Sequence, residues 1–146
     1  MKTFCLLVVA LISFISIVAQ ERKDTIYRFG NDSMLCSVSE DSRKNPDRVF
    51  TMVEQPPVFP GGQSVWEKYI AENFKRIPYY KGIVEVWFIV DLDGTTSRFQ
   101  IIRPSGLSSA DRASIINFFK SAGNWYPARQ NGFCVRAWNR VEIKNQ

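Results

Sequence analysis

Residues 83–103 read IVEVWFIVDLDGTTSRFQIIR. The first nine alternate. Val84, Val86, Phe88 and Val90 form a wholly apolar set, and Ile83, Glu85, Trp87 and Ile89 a mixed one. That period of two is the pattern of a strand with one face in a core. Asp91-Leu92-Asp93-Gly94 then supplies a hairpin turn, with glycine where the backbone needs a positive φ. Thr96–Arg103 is the return strand, and Pro104-Ser105-Gly106 ends it. A tight hairpin joins antiparallel strands, so this stretch places the chain outside the purely parallel α/β folds.

The flanks add helices. Upstream, Val49–Glu54 reads as a short strand, followed by Pro56-Pro57-Val58-Phe59-Pro60-Gly61-Gly62. Proline fixes φ and cannot donate to a ladder, whereas glycine opens positive φ. The prolines end an extended segment and the glycines let the chain swing into a helix, with Phe59 as the apolar anchor between them. Ser64-Val65-Trp66-Glu67 reads as a capping box at the helix start. Trp66, Ile70 and Phe74 recur every four residues with Tyr69 beside them, which is one helical face. Downstream, Ser108-Ser109-Ala110-Asp111 opens a second helix. Its expected buried face is Ala113, Ile116 and Phe119, flanked by Ile115 and Phe118, and Gly123 closes it. Trp125-Tyr126-Pro127 is an aromatic corner and Gln130-Asn131-Gly132 a turn.

Phe133–Ile143 alternates as a last strand. Phe133, Val135, Ala137, Val141 and Ile143 lie on one side; Cys134, Arg136, Trp138, Arg140 and Glu142 lie on the other, wet side. The order β-α-β-β-α-β gives an α+β class, two helices packed on one face of a small antiparallel sheet. The expected core is Trp66, Ile70, Phe74, Val84, Val86, Phe88, Val90, Ile116 and Phe119.

The first 48 residues differ in character. Residues 1–19 carry Lys2, an apolar run from Phe4 to Val18 and a small residue, Ala19, before Gln20, the pattern of a secretory signal. The rival reading is an uncleaved membrane anchor, for which the run is short of the ~20 residues a spanning helix needs. Residues 20–48 form a polar leader with six charges of each sign, within which Thr25–Phe29 and Met34–Val38 suit short strands. Residues 49–146 form the folded domain. Export permits disulfides, and without residues 1–19 two cysteines remain, Cys36 and Cys134. Either they bridge, contributing up to ~4–5 kcal/mol on the chain-entropy model, or both stay unpaired.

Charge and composition remove several functions. Without residues 1–19 the chain has eighteen Lys+Arg against fourteen Asp+Glu, with no basic run, so no nucleic-acid partner is expected. There is no histidine, which removes histidine acid–base chemistry and histidine metal sites. Asp91 and Asp93 do not continue into a calcium loop. No phosphate-binding glycine motif occurs, and Cys134 has no base beside it. The expectation is a protein that is not an enzyme, with no cofactor and no metal.

Three stretches resemble the C-terminal domain of TonB energy transducers. They are VFTMVEQPPVFPGGQSVWEKYIAENF, GIVEVWFIVDLDGTTSRFQIIRPSG and ADRASIINFFKSAGNWYPARQNGFCVR, within about residues 49–143. Their most specific parts are Phe59-Pro60-Gly61-Gly62, the FIVDLDG hairpin and Trp125 to Gly132. The resemblance implies a periplasmic or cell-envelope domain of two helices against a three-stranded antiparallel sheet. It further implies that the sheet edge pairs with the TonB box, a short extended segment of an outer-membrane receptor, by strand addition. In the family this conveys force from the ExbB–ExbD proton motor and drives transport across the outer membrane.

By position the peptide-binding edge is Arg136, Ala137, Trp138, Asn139, Arg140 and Val141. The same edge suits a homodimer through the last strand. This chain departs from the family in a shorter segment from Phe74 to Gly82 and in Glu142, where many relatives have proline. It also lacks a long proline-rich spacer: residues 20–48 reach at most ~100 Å. Three readings stand: an exported TonB-like domain that binds a receptor or other envelope segment, an abbreviated inner-membrane-anchored transducer, and a structural envelope domain with no transport role.

Overall fold

The structure, a computed structural model, describes residues 24–29, 32–74 and 82–145. The expectations for residues 1–19 and for the 75–81 connection lie outside them. In chain order the elements are β1 (Asp24–Phe29), β2 (Asp32–Ser37), α1 (Glu40–Lys44), α2 (Gly62–Asn73), β3 (Gly82–Val90), β4 (Thr96–Arg103), α3 (Ser109–Ser121), β5 (Ala128–Gln130), β6 (Phe133–Val135) and β7 (Ala137–Asn145). A three-stranded antiparallel sheet in the order β4-β3-β7 is accompanied by two hairpins, β1-β2 and β5-β6. The class is α+β.

The alternation of β3 decides the layers. Val84, Val86, Phe88 and Val90 are all buried, and Val141 and Ile143 of β7 join them on the same face. Trp66 and Phe74 from the α2 segment and Ile115, Phe118 and Phe119 from α3 cover that face. Phe88 lies at its centre, with ring centroids of Phe119, Trp125 and Phe99 at 5.3, 5.4 and 5.5 Å. Full burial of a side chain of this size contributes ~1.5–3 kcal/mol. The Asp91–Gly94 turn closes the β3-β4 hairpin: Asp91 N–H donates to Thr95 C=O at 2.9 Å and Gly94 takes φ 81°.

Four local expectations are corrected. α2 starts earlier than the capping box implied. Gly61 is its N-cap, and Gly61 and Gly62 take φ 84° and 79°. These two left-handed residues turn the chain at once, with Gly62 N–H donating to Phe59 C=O at 2.8 Å. Ser64 therefore falls inside the first turn, and Glu67 accepts from the Gln63 amide instead. The buried seam of α3 runs through Ile115, Phe118 and Phe119, while Ile116 is only partly buried and Ala113 is exposed. The helix is rotated so that two adjacent phenyl rings enter the core, where Phe118 meets Trp66 and Phe119 meets Phe88.

Residues 49–54 make a single bridge rather than a strand, Phe50 with Ala137, and the next bridge, Gln55 with Arg129, falls just past them. Finally, the last strand is broken at Arg136 into β6, which pairs with β5, and β7, which pairs with β3.

The leader also has structure. β1 and β2 form an antiparallel hairpin from Asp24↔Ser37 to Phe29↔Asp32. Ser39 caps α1 by accepting from Ser42 N–H at 3.1 Å. Cys36 and Cys134 are joined, with Cα atoms 5.5 Å apart and both side chains buried.

Candidate functional site

An antiparallel strand turns alternate backbone groups toward its two neighbours. β7 pairs with β3 without a register break, from Gly82↔Asn145 to Val90↔Ala137. On its other side Phe50 occupies only the start: Phe50 N–H donates to Arg136 C=O at 2.8 Å and Trp138 N–H donates to Phe50 C=O at 2.9 Å. By alternation, Arg140, Glu142 and Lys144 also direct N–H and C=O outward, while Asn139, Val141 and Ile143 direct theirs to β3. Beyond Trp138 no described segment pairs with this outer edge.

The upstream segment veers away from β7 after Phe50, and the sequence explains why. Gln55 and Arg129 exchange backbone bonds at 3.1 and 2.9 Å, and Val58 and Tyr126 do so at 3.1 and 2.8 Å. Glu54 accepts from Asn131 N–H at 3.0 Å and from the Gln130 amide at 3.2 Å, fixing the β5-β6 turn. Pro56 and Pro57, which have no N–H to donate, lie between the Gln55 and Val58 bridges and keep them from joining into a continuous ladder. Phe59 sets its ring 5.0 Å from Trp66 and 5.3 Å from Trp125. Gly61 completes the bend: a Cβ there would lie 2.7 Å from Val65 Cγ2. Because this segment and β7 diverge, a cleft of about 310 Å³ opens between them. Its lining includes Pro57, Val58, Phe59, Gly62 and Gln63 from one segment, the rings of Trp66 and Trp125, and Asn139 to Glu142 of β7.

The sheet face away from the helices carries a charge network. Glu85 is 4% exposed, a lone carboxylate in an apolar strand. Its Oε1 accepts from Trp87 Nε1 at 2.9 Å and from Arg140 Nε at 2.8 Å, and Arg103 Nε lies 3.5 Å from Oε2. The Trp87 bond, followed by the bond and charge of Arg140 and the charge of Arg103, holds its carboxyl below the ordinary value against the opposing effect of burial. Arg140 also pairs with Glu142. This network fixes the side chains of β7 on one face and leaves its outward backbone groups alone.

Of the residues expected at the edge, Ala137, Trp138, Asn139, Arg140 and Val141 lie on β7, and the last three line the cleft. Arg136 and Ala137 lie where Phe50 already pairs. Arg136 lies at the break before β7, its carbonyl is taken by Phe50 and its guanidinium binds Asp91 and the Pro46 carbonyl. Ala137 is buried and bridged by Phe50. Cys134 is likewise buried and disulfide-bonded rather than outward in water, and Trp138 is partly buried. The cleft residues Pro57, Val58, Phe59, Gly62, Gln63, Trp66 and Trp125 were not assigned to a site from sequence, although the Pro-Pro and Gly-Gly pairs signalled a shaped segment there.

Comparison with family models, with curated proteins and with solved structures finds no match to this chain. Among the described residues no group of three or more His, Cys, Asp or Glu side chains is placed to hold a metal ion.

Proposed function

We propose that this chain is an exported TonB-like domain that captures an extended segment of an outer-membrane receptor, or of another envelope protein, as a fourth strand along β7, in service of TonB-dependent transport. The observation that carries the reading is the outer edge of β7 from Arg140 to Lys144, unpaired among the described residues and bordered by the aromatic cleft. In strand addition the backbone supplies affinity and neighbouring pockets supply selectivity. The other sheet edge, β4, suits this less well. Its pairing has two register shifts and Arg98 takes φ 49°, irregularities of the kind that blunt an edge. The Cys36–Cys134 bond is compatible with an oxidising compartment. No helix among the described residues is long and apolar enough to cross a membrane.

The test is a titration of the purified domain with TonB-box peptides from receptors of the same cell, followed by backbone amide shifts. The reading expects shifts along residues 138–144 and at residues 57–63. Shifts confined elsewhere, no shifts with any receptor segment, or a dimer through β7 that no peptide dissociates would each overturn it.

A further inference from the structure

We infer that Phe50 is a fixed stop on the β7 edge, a positioning residue that ends the captured segment beside Asn139 and limits its pairing to the stretch from Arg140 to Lys144. The ligand class is then a short extended segment, of roughly five residues at ~3.3 Å each, whose chain leaves the sheet line at Phe50. This rests on the strand-addition reading.

Geometry sets the end point. Phe50 stands in the line that an added strand must use. Its N–H donates to Arg136 C=O at 2.8 Å and its C=O accepts from Trp138 N–H at 2.9 Å, opposite Ala137. A ligand residue opposite Trp138 would stand one strand position away, at ~3.3 Å. That is closer than the spacing of about 3.8 Å between covalently joined Cα atoms. A residue opposite Asn139 clears Phe50 at about twice the strand spacing. Thr51 and Met52 do not extend the block, since both are exposed and no bridge follows Phe50 before Gln55. β7 itself ends at Asn145. The free line is therefore bounded at both ends.

Packing decides that the stop holds rather than yields. Phe50 and Val53 pack against the buried cluster of Ala128, Val135 and Ala137, and the Arg48 guanidinium lies 4.7 Å from the centre of the Phe50 ring. The chain is held on either side as well. Pro46 C=O accepts from Arg136 Nη1 at 2.7 Å, and Gln55 exchanges two backbone bonds with Arg129. A ligand residue in the place of Phe50 would make the same two bonds to β7 that Phe50 already makes, so displacement adds no net hydrogen bond. It would also strip the Phe50 ring from its apolar cluster. Beyond Trp138 the balance reverses. Arg140, Glu142 and Lys144 have no paired segment on their outer side among the described residues, so each bond formed there is a gain.

The experiment titrates the full, oxidised chain with capped Thr/Val peptides of five, seven and nine residues. Affinity is read by calorimetry and pairing by residue-resolved hydrogen exchange. The two longer peptides should bind within about twofold of the shortest, because no further net bond forms. At saturation with the nine-residue peptide the amides of Arg140, Glu142 and Lys144 should gain protection, and the Phe50 amide should keep the protection it has in the free protein. In Phe50→Gly, which removes the ring and keeps the backbone groups, the nine-residue peptide should bind at least about fivefold tighter than the five-residue one, the factor for one net hydrogen bond. A mere loosening of the fold would weaken all three lengths alike. If the nine-residue peptide strips protection from the Phe50 amide of the unaltered protein, Phe50 is a displaceable strap; the stop is then overturned and strand addition stands. A folded Phe50→Gly with no gain from length would take the role away from the Phe50 ring. The series on the unaltered protein decides the matter even if that variant folds poorly. Failure of every length to protect β7 would overturn strand addition and the stop with it.

Discussion

Replacing both bridged cysteines by alanine tests how the leader is attached. In the unfolded chain the bridge spans 98 positions, a constraint of about 5 kcal/mol on the chain-entropy model. The folded chain recovers part of that on losing the bridge. β2 is held to the body by the bridge, by packing against β6 and by an exposed bond from Arg129 Nη2 to Leu35 C=O at 3.0 Å. One such bond contributes about 1 kcal/mol net, too little to fix a two-stranded hairpin, which is marginal alone. The hairpin should therefore undock, remaining tethered at Phe50, which is bonded to β7. Closing the fourteen positions from Cys36 to Phe50 costs about 3 kcal/mol on the same model. Cys36→Ala/Cys134→Ala should thus lose about 2 kcal/mol of global stability, the difference between the two closures. Urea denaturation gives that number, and hydrogen exchange should show amides of β1 and β2 losing protection while β3 keeps its own. A loss near 5 kcal/mol with β1-β2 protection intact would make the hairpin an integral layer and refute the reasoning. A loss below about 0.5 kcal/mol would mean that the bridge does not constrain the unfolded chain.

Three further outcomes follow from single residues. Phe88→Ala should cost about 4–5 kcal/mol in urea denaturation, the upper part of the usual range, because the ring is fully buried among three others; a loss under about one would show that β3 is out of phase. Gly61→Ala should cost about 1–2 kcal/mol from its positive φ alone, plus the displacement of Val65, and a thermal melt unchanged from the parent would remove Gly61 from the account of the bend. Glu85 has a folded-state pKa below its ordinary, unfolded-state value. Its stabilisation is then complete above that value and is lost as pH falls through the lower, folded one. Glu85→Gln should flatten that part of the acid limb, and an identical pH profile in the variant would contradict the role given to Arg140 and Arg103.

Much of the fold was legible because its determinants are local. The β3-β4 hairpin shows as a period of two closed by Asp-Leu-Asp-Gly, and the α3 start shows as Ser108, which accepts from Asp111 N–H at 3.1 Å. What was illegible depends on distant partners. The alternation of residues 133–143 passes through Arg136 without a mark, yet the strand breaks there because Phe50 takes its carbonyl and Asp91 its guanidinium. Ser64 has the composition of a cap, but the two left-handed glycines before it start the helix sooner. The cleft could not be read along the chain, since its walls come from residues 57–66, Trp125 and 139–142. Glu85 within IVEVW was visible as an oddity, though its three partners were not.

The open edge of β7 is the central claim, and residue-resolved hydrogen exchange along that strand tests it most directly. In the free protein the amides of Asn139, Val141 and Ile143, which face β3, should exchange slowly, and those of Arg140, Glu142 and Lys144 quickly. Saturation with a receptor segment should bring the second set down to the rates of the first, and Glu142→Pro should abolish that protection while the domain stays folded, as an edge strand tolerates proline. Protection of Arg140, Glu142 and Lys144 already present in the free protein, or rates that do not change at saturation, would contradict the account.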